Sequence, residues 1–179
     1  MARIYNETVE CGGHSPQWTL ATPADMRANV QAAQRQGWPI WCLFAGVDLV
    51  AFAWIRPLNW GGVCRQTGDF SVYVARAWHG SAAAMQCVTI AYELAPRHGF
   101  EAMTCWILGT NPRSLQLARA ARMQAWGRLV GAANIAGIQA DVHIWGARYD
   151  DPSACAYMER LKRRLVARSR RDVERLGPV

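Results

Sequence analysis

A turn built almost entirely from small residues is the first feature of this sequence that could do chemistry. It runs from His79 to Ala84 (HGSAAA) and comes just before a long segment with apolar residues at helical spacing. Small side chains leave the backbone N–H groups at a helix start open to a ligand, and the helix dipole there favours a phosphate. Close packing of a strand against a helix requires small residues as well. On its own the turn is compatible with either role.

The turn is predicted to connect a strand to a helix. The run from Phe70 to Val74 (FSVYV) alternates apolar and other side chains and is rich in β-branched and aromatic residues, which is typical of a strand. From Ser81 onward, apolar residues recur at helical spacing as far as Pro96, where the helix is expected to end. The rest of the chain is organised around this strand–turn–helix unit.

The unit resembles the acetyl-CoA-binding core of the GNAT N-acetyltransferases, in particular the phosphinothricin acetyltransferase branch. The resemblance rests on the series SVYV, a turn with Gly, and a helix that closes in HGF, and the order of elements agrees from Ile4 to Trp145. It implies an α/β (α+β) fold with a mixed, mostly antiparallel central sheet, flanked by helices and splayed at its fourth and fifth strands. Relatives usually begin with a strand before the first helix. Here the first strand is expected to be missing, or another segment must fill that edge.

Acetyl transfer from a thioester to an amine needs a held pantetheine arm and donors toward the developing oxyanion. The resemblance assigns these tasks to main-chain groups of the SVYV strand, with acetyl-CoA as co-substrate and the phosphates resting on the turn. Asn111 matches an Asn that contacts the coenzyme, and Ser114 matches a Ser that bonds the pantetheine arm; turn formation and helix capping are their other readings. The expected coenzyme-binding residues are Val72, Tyr73, Val74, His79, Gly80, Ser81, Ala82, Ala83, Ala84, Asn111 and Ser114.

The turn departs from the pattern Arg/Gln-x-x-Gly-x-Gly that is usual in this branch. His79 stands at the Arg/Gln position, and Ala82 and Ala84 stand at the two later glycines. An alanine is disfavoured where a turn needs a positive φ, and its methyl group can obstruct a phosphate oxygen. Many relatives accept alanine at the second of these positions. Ala82 is therefore the departure most expected to weaken coenzyme binding.

The proton that leaves the amine also needs an acceptor. Asp69 falls where the branch carries a Glu just before the strand, and it is the expected catalytic residue, acting through water. Ala118 replaces a family His and Ile135 a frequent Lys, so phosphinothricin itself is not the expected substrate. Three further residues could touch the acceptor, although capping or packing is the expected role of the first two: His14, Trp18 and Trp60.

Length and composition predict a single domain. The 179 residues are 51% hydrophobic, which is enough for one core, and no apolar run is long enough to span a membrane. The start of the chain does not read as a secretory signal, so a cytoplasmic protein is expected. The six cysteines lack CxxC spacing, so buried free thiols are expected rather than disulfides or a metal site. Residues 1–150 would form the GNAT domain and residues 151–179 a basic helix or tail.

The net charge of +7 is concentrated in that tail, which carries eight basic and three acidic residues between positions 156 and 179. Three functions are open. The first is an N-acyltransferase that acts on the primary amine of a small molecule by direct attack. The second is a GNAT-fold binding or interaction module that has lost acetyl transfer. The third, ranked last because basic tails are usually solvated, is a nucleic-acid-directed modifier. The resemblance also implies that the chain could form a homodimer.

Overall fold

The computed structural model describes residues 1–12, 19–58, 62–135 and 137–176, with side chains as far as residue 166. Six strands form one sheet in the order β1-β2-β3-β4-β6-β5, in which β3 and β4 are parallel and every other pair is antiparallel. The mostly antiparallel α/β fold is therefore confirmed. The elements are α1 (Ala2–Glu10), α2 (Pro23–Gln36), β1 (Ile40–Ala45), β2 (Asp48–Pro57), β3 (Thr67–Val74), a 3₁₀ turn (Arg76–Trp78), α3 (Ala83–Arg97), β4 (Ala102–Leu108), α4 (Pro112–Ala120), β5 (Gln124–Ile135), β6 (Ile138–Arg148) and α5 (Pro152–Leu176).

The sheet begins without a strand ahead of the first helix. In the described residues α1 starts at Ala2, and β1 forms the outer edge of the sheet beside β2. The next helix, α2, starts as its sequence predicts, because Thr22 and Asp25 form a capping box in which each side chain accepts from the other residue's main-chain N–H. It ends at Gly37, whose φ of 68° suits the left-handed cap of a helix.

Helices cover both faces of the sheet, and β2 contributes alternate residues to two cores. Phe52 and Trp54 pack with α1 and α2, through Ile4, Tyr5 and Met26. On the opposite face, Ala51, Ala53 and Ile55 pack with α3, α4 and α5. The residues that these three helices bring to this core include Cys87, Val88, Ala91, Ala118 and Met158. A strand buried on both faces fits the nearly continuous apolar sequence of β2.

The last two strands are longer than the sequence predicts. The sequence from Ala133 to Ala140 predicts a loop between the last two strands, but β5 runs to Ile135 and β6 begins at Ile138, with Asn134 paired to Gln139. The ladder shifts register between Leu129 and Ala133, around Gly131 with its φ of 61°. This irregularity lets pairing continue through a run of small residues in which no alternation is visible.

The basic C-terminal segment is helical as far as Leu176. Its first turns pack into the core through Ala154 and Met158, and Lys162 forms an ion pair with Glu93 of α3. None of the described helices combines the length and apolarity that crossing a membrane requires. All six cysteines are free; Cys87 and Cys105 are buried, whereas the other four are partly exposed.

Candidate functional site

The sheet opens between β3 and β4. These strands share only three pairs, of which Asp69 with Thr104 is the last, and β3 continues to Val74 without a partner on this side. The splay expected from the sequence is therefore confirmed. The gap is bounded by the turn after β3 on one side and by the start of α4 on the other.

The main-chain groups of Val72 and Val74 are directed into this gap. Ala75 N–H donates to Val50 O at 2.8 Å and Leu58 N–H donates to Thr67 O at 2.8 Å, so the odd-numbered residues of β3 bond to β2. Because the direction alternates along an antiparallel strand, the even-numbered residues present their N–H and C=O groups to the open side. Tyr73 is paired with Phe52 of β2, so its main-chain N–H and C=O groups are turned away from the gap, although the residue lines the cavity.

A cavity of about 630 Å³ fills the gap. Its lining on β3 starts at Phe70, directly after Asp69, and it also includes Thr8 of α1 and Cys11, the residue just after that helix. Of the predicted coenzyme-binding residues, all but Ala82 and Ala83 line this cavity: Val72, Tyr73, Val74, His79, Gly80, Ser81, Ala84, Asn111 and Ser114. The predicted residues from distant parts of the sequence are thus brought together.

The turn at Ala82 is free of the strain considered from the sequence. Ala82 has a φ of −76°, and the positive φ of the turn, 84°, falls at Gly80. Ser81 Oγ accepts the N–H of Ala83 at 3.2 Å, which satisfies one of the N–H groups at the start of α3. Further N–H groups in the first turn of a helix have no partner within the helix itself.

His79 bridges the two sides of the gap. Its Nε2 lies 3.0 Å from Val74 O, and its Nδ1 lies 2.7 Å from Arg113 Nη1. A carbonyl only accepts and a guanidinium only donates, so Nε2 must carry the proton and Nδ1 must be the acceptor. The imidazole is therefore neutral in this arrangement.

Asp69 lies at the inner end of the gap beside a cationic side chain. It is paired across the strands with Arg56 of β2, and burial raises the pKa of its carboxyl, an effect that the Arg56 guanidinium partly offsets. Burial also raises the pKa of Tyr73 to about 12, so its hydroxyl keeps its proton at neutral pH. The site thus combines the Asp69 carboxyl, which has an increased proton affinity, with the neutral Tyr73 hydroxyl, which can donate or accept a hydrogen bond.

The start of α4 forms the opposite wall. Asn111 Oδ1 accepts the N–H of Ser114 at 3.0 Å, so Asn111 caps the helix as well as lining the cavity. Between them lies Arg113, for which the sequence suggested no role. Thr8, in the last turn of α1, and Cys11, its C-cap residue, were missed too, although a spacing of three residues at a helix end places side chains on one side. His14, Trp18 and Trp60 lie outside the described residues.

No cluster of three or more His, Cys, Asp and Glu side chains suited to a metal ion occurs in the part of the chain that the structure describes. Among the described residues that line the cavity, Arg113 carries the one full charge. The cavity lining is therefore basic at the start of α4 and otherwise neutral, with apolar, hydroxyl and amide groups.

Comparison with known proteins identifies the fold. No protein-family model matches the chain, and no curated protein matches it in sequence. Solved structures do match: an N-acetyltransferase from Staphylococcus aureus (18% identity, TM-score 0.78, 82% of this chain and 89% of that chain) and a ribosomal-protein-alanine N-acetyltransferase from Brucella melitensis (21%, 0.78, 82% and 91%). A phosphinothricin acetyltransferase from Sinorhizobium meliloti, in complex with acetyl-CoA, also matches (20%, 0.76, 82% and 80%).

These similarities establish that the chain has the GNAT fold. The phosphinothricin acetyltransferase from Sinorhizobium meliloti shares this architecture, so the likeness to that branch holds at the level of the fold.

Proposed function

We propose that this protein transfers an acetyl group from acetyl-CoA to the primary amine of a small molecule by direct attack. The observation that carries the proposal is the gap between β3 and β4, where Val72 presents main-chain groups to a cavity of about 630 Å³. The complex of the Sinorhizobium meliloti protein with acetyl-CoA supports the choice of co-substrate. Six free cysteines support a reducing compartment such as the cytoplasm.

The coenzyme would lie along the open side of β3. Val72 N–H is the proposed donor toward the oxygen of the reacting carbonyl, and Val74 O is the proposed acceptor for a pantetheine amide. The N–H groups of the turn and the first turn of α3 would hold the phosphates, which a helix N-terminus favours. The negative φ of Ala82 supports this role, because the turn takes its shape from Gly80 and places no conformational demand on the alanine.

Asp69 is the proposed acceptor of the amine proton. The cavity lining begins at the next residue, so one water molecule could connect the carboxylate with an amine in the cavity. The increased proton affinity that burial gives Asp69 suits a base better than the affinity of an exposed carboxyl. Thr8, Cys11, Ser71 and Tyr73 also line the cavity and are the proposed contacts to the acceptor.

Calorimetric titration of the full chain with acetyl-CoA tests the proposal, followed by mass spectrometry of small primary amines incubated with protein and acetyl-CoA. Binding together with acetylation of an amine is the expected result. Binding without acetylation of any amine would favour the interaction module instead. Absence of binding at millimolar acetyl-CoA would remove both the co-substrate and the transferase function. The homodimer that the resemblance implies stays a prediction.

A further inference from the structure

We propose that Arg113 is the phosphate-binding cation of this cleft, and that His79 holds Arg113 across the gap until a phosphate takes the place of His79 as the partner of the guanidinium. We call the two contacts of the His79 ring, with Val74 O and with Arg113, the latch. This inference rests on the proposed function. It adds the side chain that recognises the anionic part of the coenzyme and the contact that must break when the coenzyme binds. His79 stands where the branch that the sequence resembles usually has Arg or Gln.

The latch links the end of β3 to the start of α4, the helix that follows β4. Val74 is the last residue of β3, and Arg113 lies in the first turn of the helix that follows β4. The His79 side chain connects them, since its Nε2–H donates to Val74 O at 3.0 Å and its Nδ1 accepts from Arg113 Nη1 at 2.7 Å. One imidazole thereby connects two groups that line the cavity, the Val74 carbonyl and the Arg113 guanidinium.

The charge of Arg113 has no counter-charge in this arrangement. A guanidinium stays protonated in proteins, and a neutral ring nitrogen does not balance it. No ion pair in the described part of the chain involves Arg113. A phosphate is a stronger partner than an imidazole, because its hydrogen bonds with a guanidinium are charge-assisted and can be bidentate. An arriving phosphate can therefore take Arg113 from His79.

Release of Arg113 would also free the strand. Val74 O is the proposed acceptor for the pantetheine amide, and in the latched arrangement His79 Nε2–H donates to it. Once Arg113 has turned to the phosphate, His79 loses one of its two partners and can leave the carbonyl. A ligand with the pantetheine arm but without phosphate lacks the group that opens the latch. Loss of the Arg113 charge should consequently weaken the binding of coenzyme A but not that of pantetheine, and loss of His79 should strengthen the binding of pantetheine.

Titration of the full chain and its variants with coenzyme A and with pantetheine tests this. Arg113→Gln should weaken coenzyme A binding by roughly tenfold or more, as expected for loss of a charge-assisted hydrogen bond, without weakening pantetheine binding. His79→Ala should strengthen pantetheine binding by about three- to tenfold, because no latch has to be broken. Arg119→Gln is the matched control, since Arg119 lies on the same helix, is exposed and stacks over Trp145 instead.

Equal effects of Arg113→Gln and Arg119→Gln on coenzyme A binding would overturn the proposal. So would an Arg113→Gln variant that loses pantetheine and coenzyme A binding to the same extent, or a His79→Ala variant that binds pantetheine no better. Failure of the proposed function looks different, because the unmodified protein would then bind neither acetyl-CoA nor coenzyme A. Dephospho-coenzyme A, which keeps the pyrophosphate alone, shows which phosphate Arg113 contacts.

Discussion

Asp69 and Thr104 are the last residues paired between β3 and β4, and the sheet opens directly beyond them. The only carboxylate on β3 is therefore fixed at the inner end of the cleft, where two strands and the neighbouring Arg56 hold its main chain in place. A base that acts through water needs such a fixed position, because proton transfer depends on geometry before it depends on pKa.

Asp69→Asn should reduce kcat by about 10²- to 10⁴-fold, the usual contribution of a general base, with a smaller effect on acetyl-CoA binding. Burial raises the pKa of Asp69, so the rate of the unmodified protein should rise with pH through that increased value and then level off. The Asn variant should lack this rise. Asp48→Asn, at the exposed first residue of β2, is the control. An Asp69→Asn variant with the full rate and the same pH profile would exclude Asp69 as the base.

Asp69→Asn, which should lower kcat, should raise the stability of the fold at pH 8. Because the pKa of Asp69 is raised by folding, the protonated carboxyl favours the folded state, and this contribution is fully present below the pKa of the unfolded chain. It is lost as the pH rises through the folded-state pKa, where the buried carboxylate must carry a charge. Asn does not ionise, so Asp69→Asn should raise the urea midpoint at pH 8 relative to the unmodified protein.

This difference in urea midpoint should shrink toward pH 4. All other titrating groups are common to both proteins, so they cancel in the comparison. If the urea midpoint of Asp69→Asn lies below that of the unmodified protein by the same amount at pH 8 and at pH 4, the side chain at position 69 stabilises the fold through its contacts and not through its protonation.

The strand–turn–helix unit could be predicted because short segments carry its signals. Alternation marks β3, Pro96 and Gly99 mark the end of α3, and Thr22 followed by Pro23 marks the start of α2. The resemblance then supplied the order of the elements and the position of the gap. The strand and the helix boundaries depend on residues that are close together in sequence, which is why the pattern was sufficient for them.

The contact between His79 and Arg113 could not be predicted, because 34 positions separate the two residues and the splay brings them together. The φ of Ala82 was hidden for a similar reason. The family pattern places glycines at fixed positions, but this turn begins with a 3₁₀ turn at Arg76–Trp78 and takes its positive φ at Gly80. The extension of β5 was missed because small residues around Gly131 carry no alternating pattern.

Val72→Pro tests the main-chain donor directly. Proline lacks the N–H and is tolerated in a strand where that group faces away from the ladder, as it does at Val72. The variant should fold, and kcat should fall by about 10²- to 10³-fold, as for loss of one donor to an oxyanion. Val72→Ala keeps the N–H and should retain most of the activity. Thermal unfolding of both variants provides the check on folding, and a folded Val72→Pro protein with normal kcat would contradict the proposed donor.

Asn111 should show two separable roles. Its side chain caps α4 by accepting the Ser114 N–H at 3.0 Å, so Asn111→Ala should lower the free energy of unfolding by about 1 kcal/mol. Asn111→Asp keeps the acceptor and suits the positive end of the helix dipole, so its stability should be close to normal. The added negative charge at the cavity wall should nevertheless weaken binding of acetyl-CoA, because the ligand carries phosphates.

Urea unfolding and calorimetric titration of both Asn111 variants measure the two roles independently. If Asn111→Asp binds acetyl-CoA as tightly as the unmodified protein while Asn111→Ala loses only stability, the side chain serves as a helix cap alone. The coenzyme would then contact α4 through other groups, of which Ser114 and Arg113 are the next residues along the same turn.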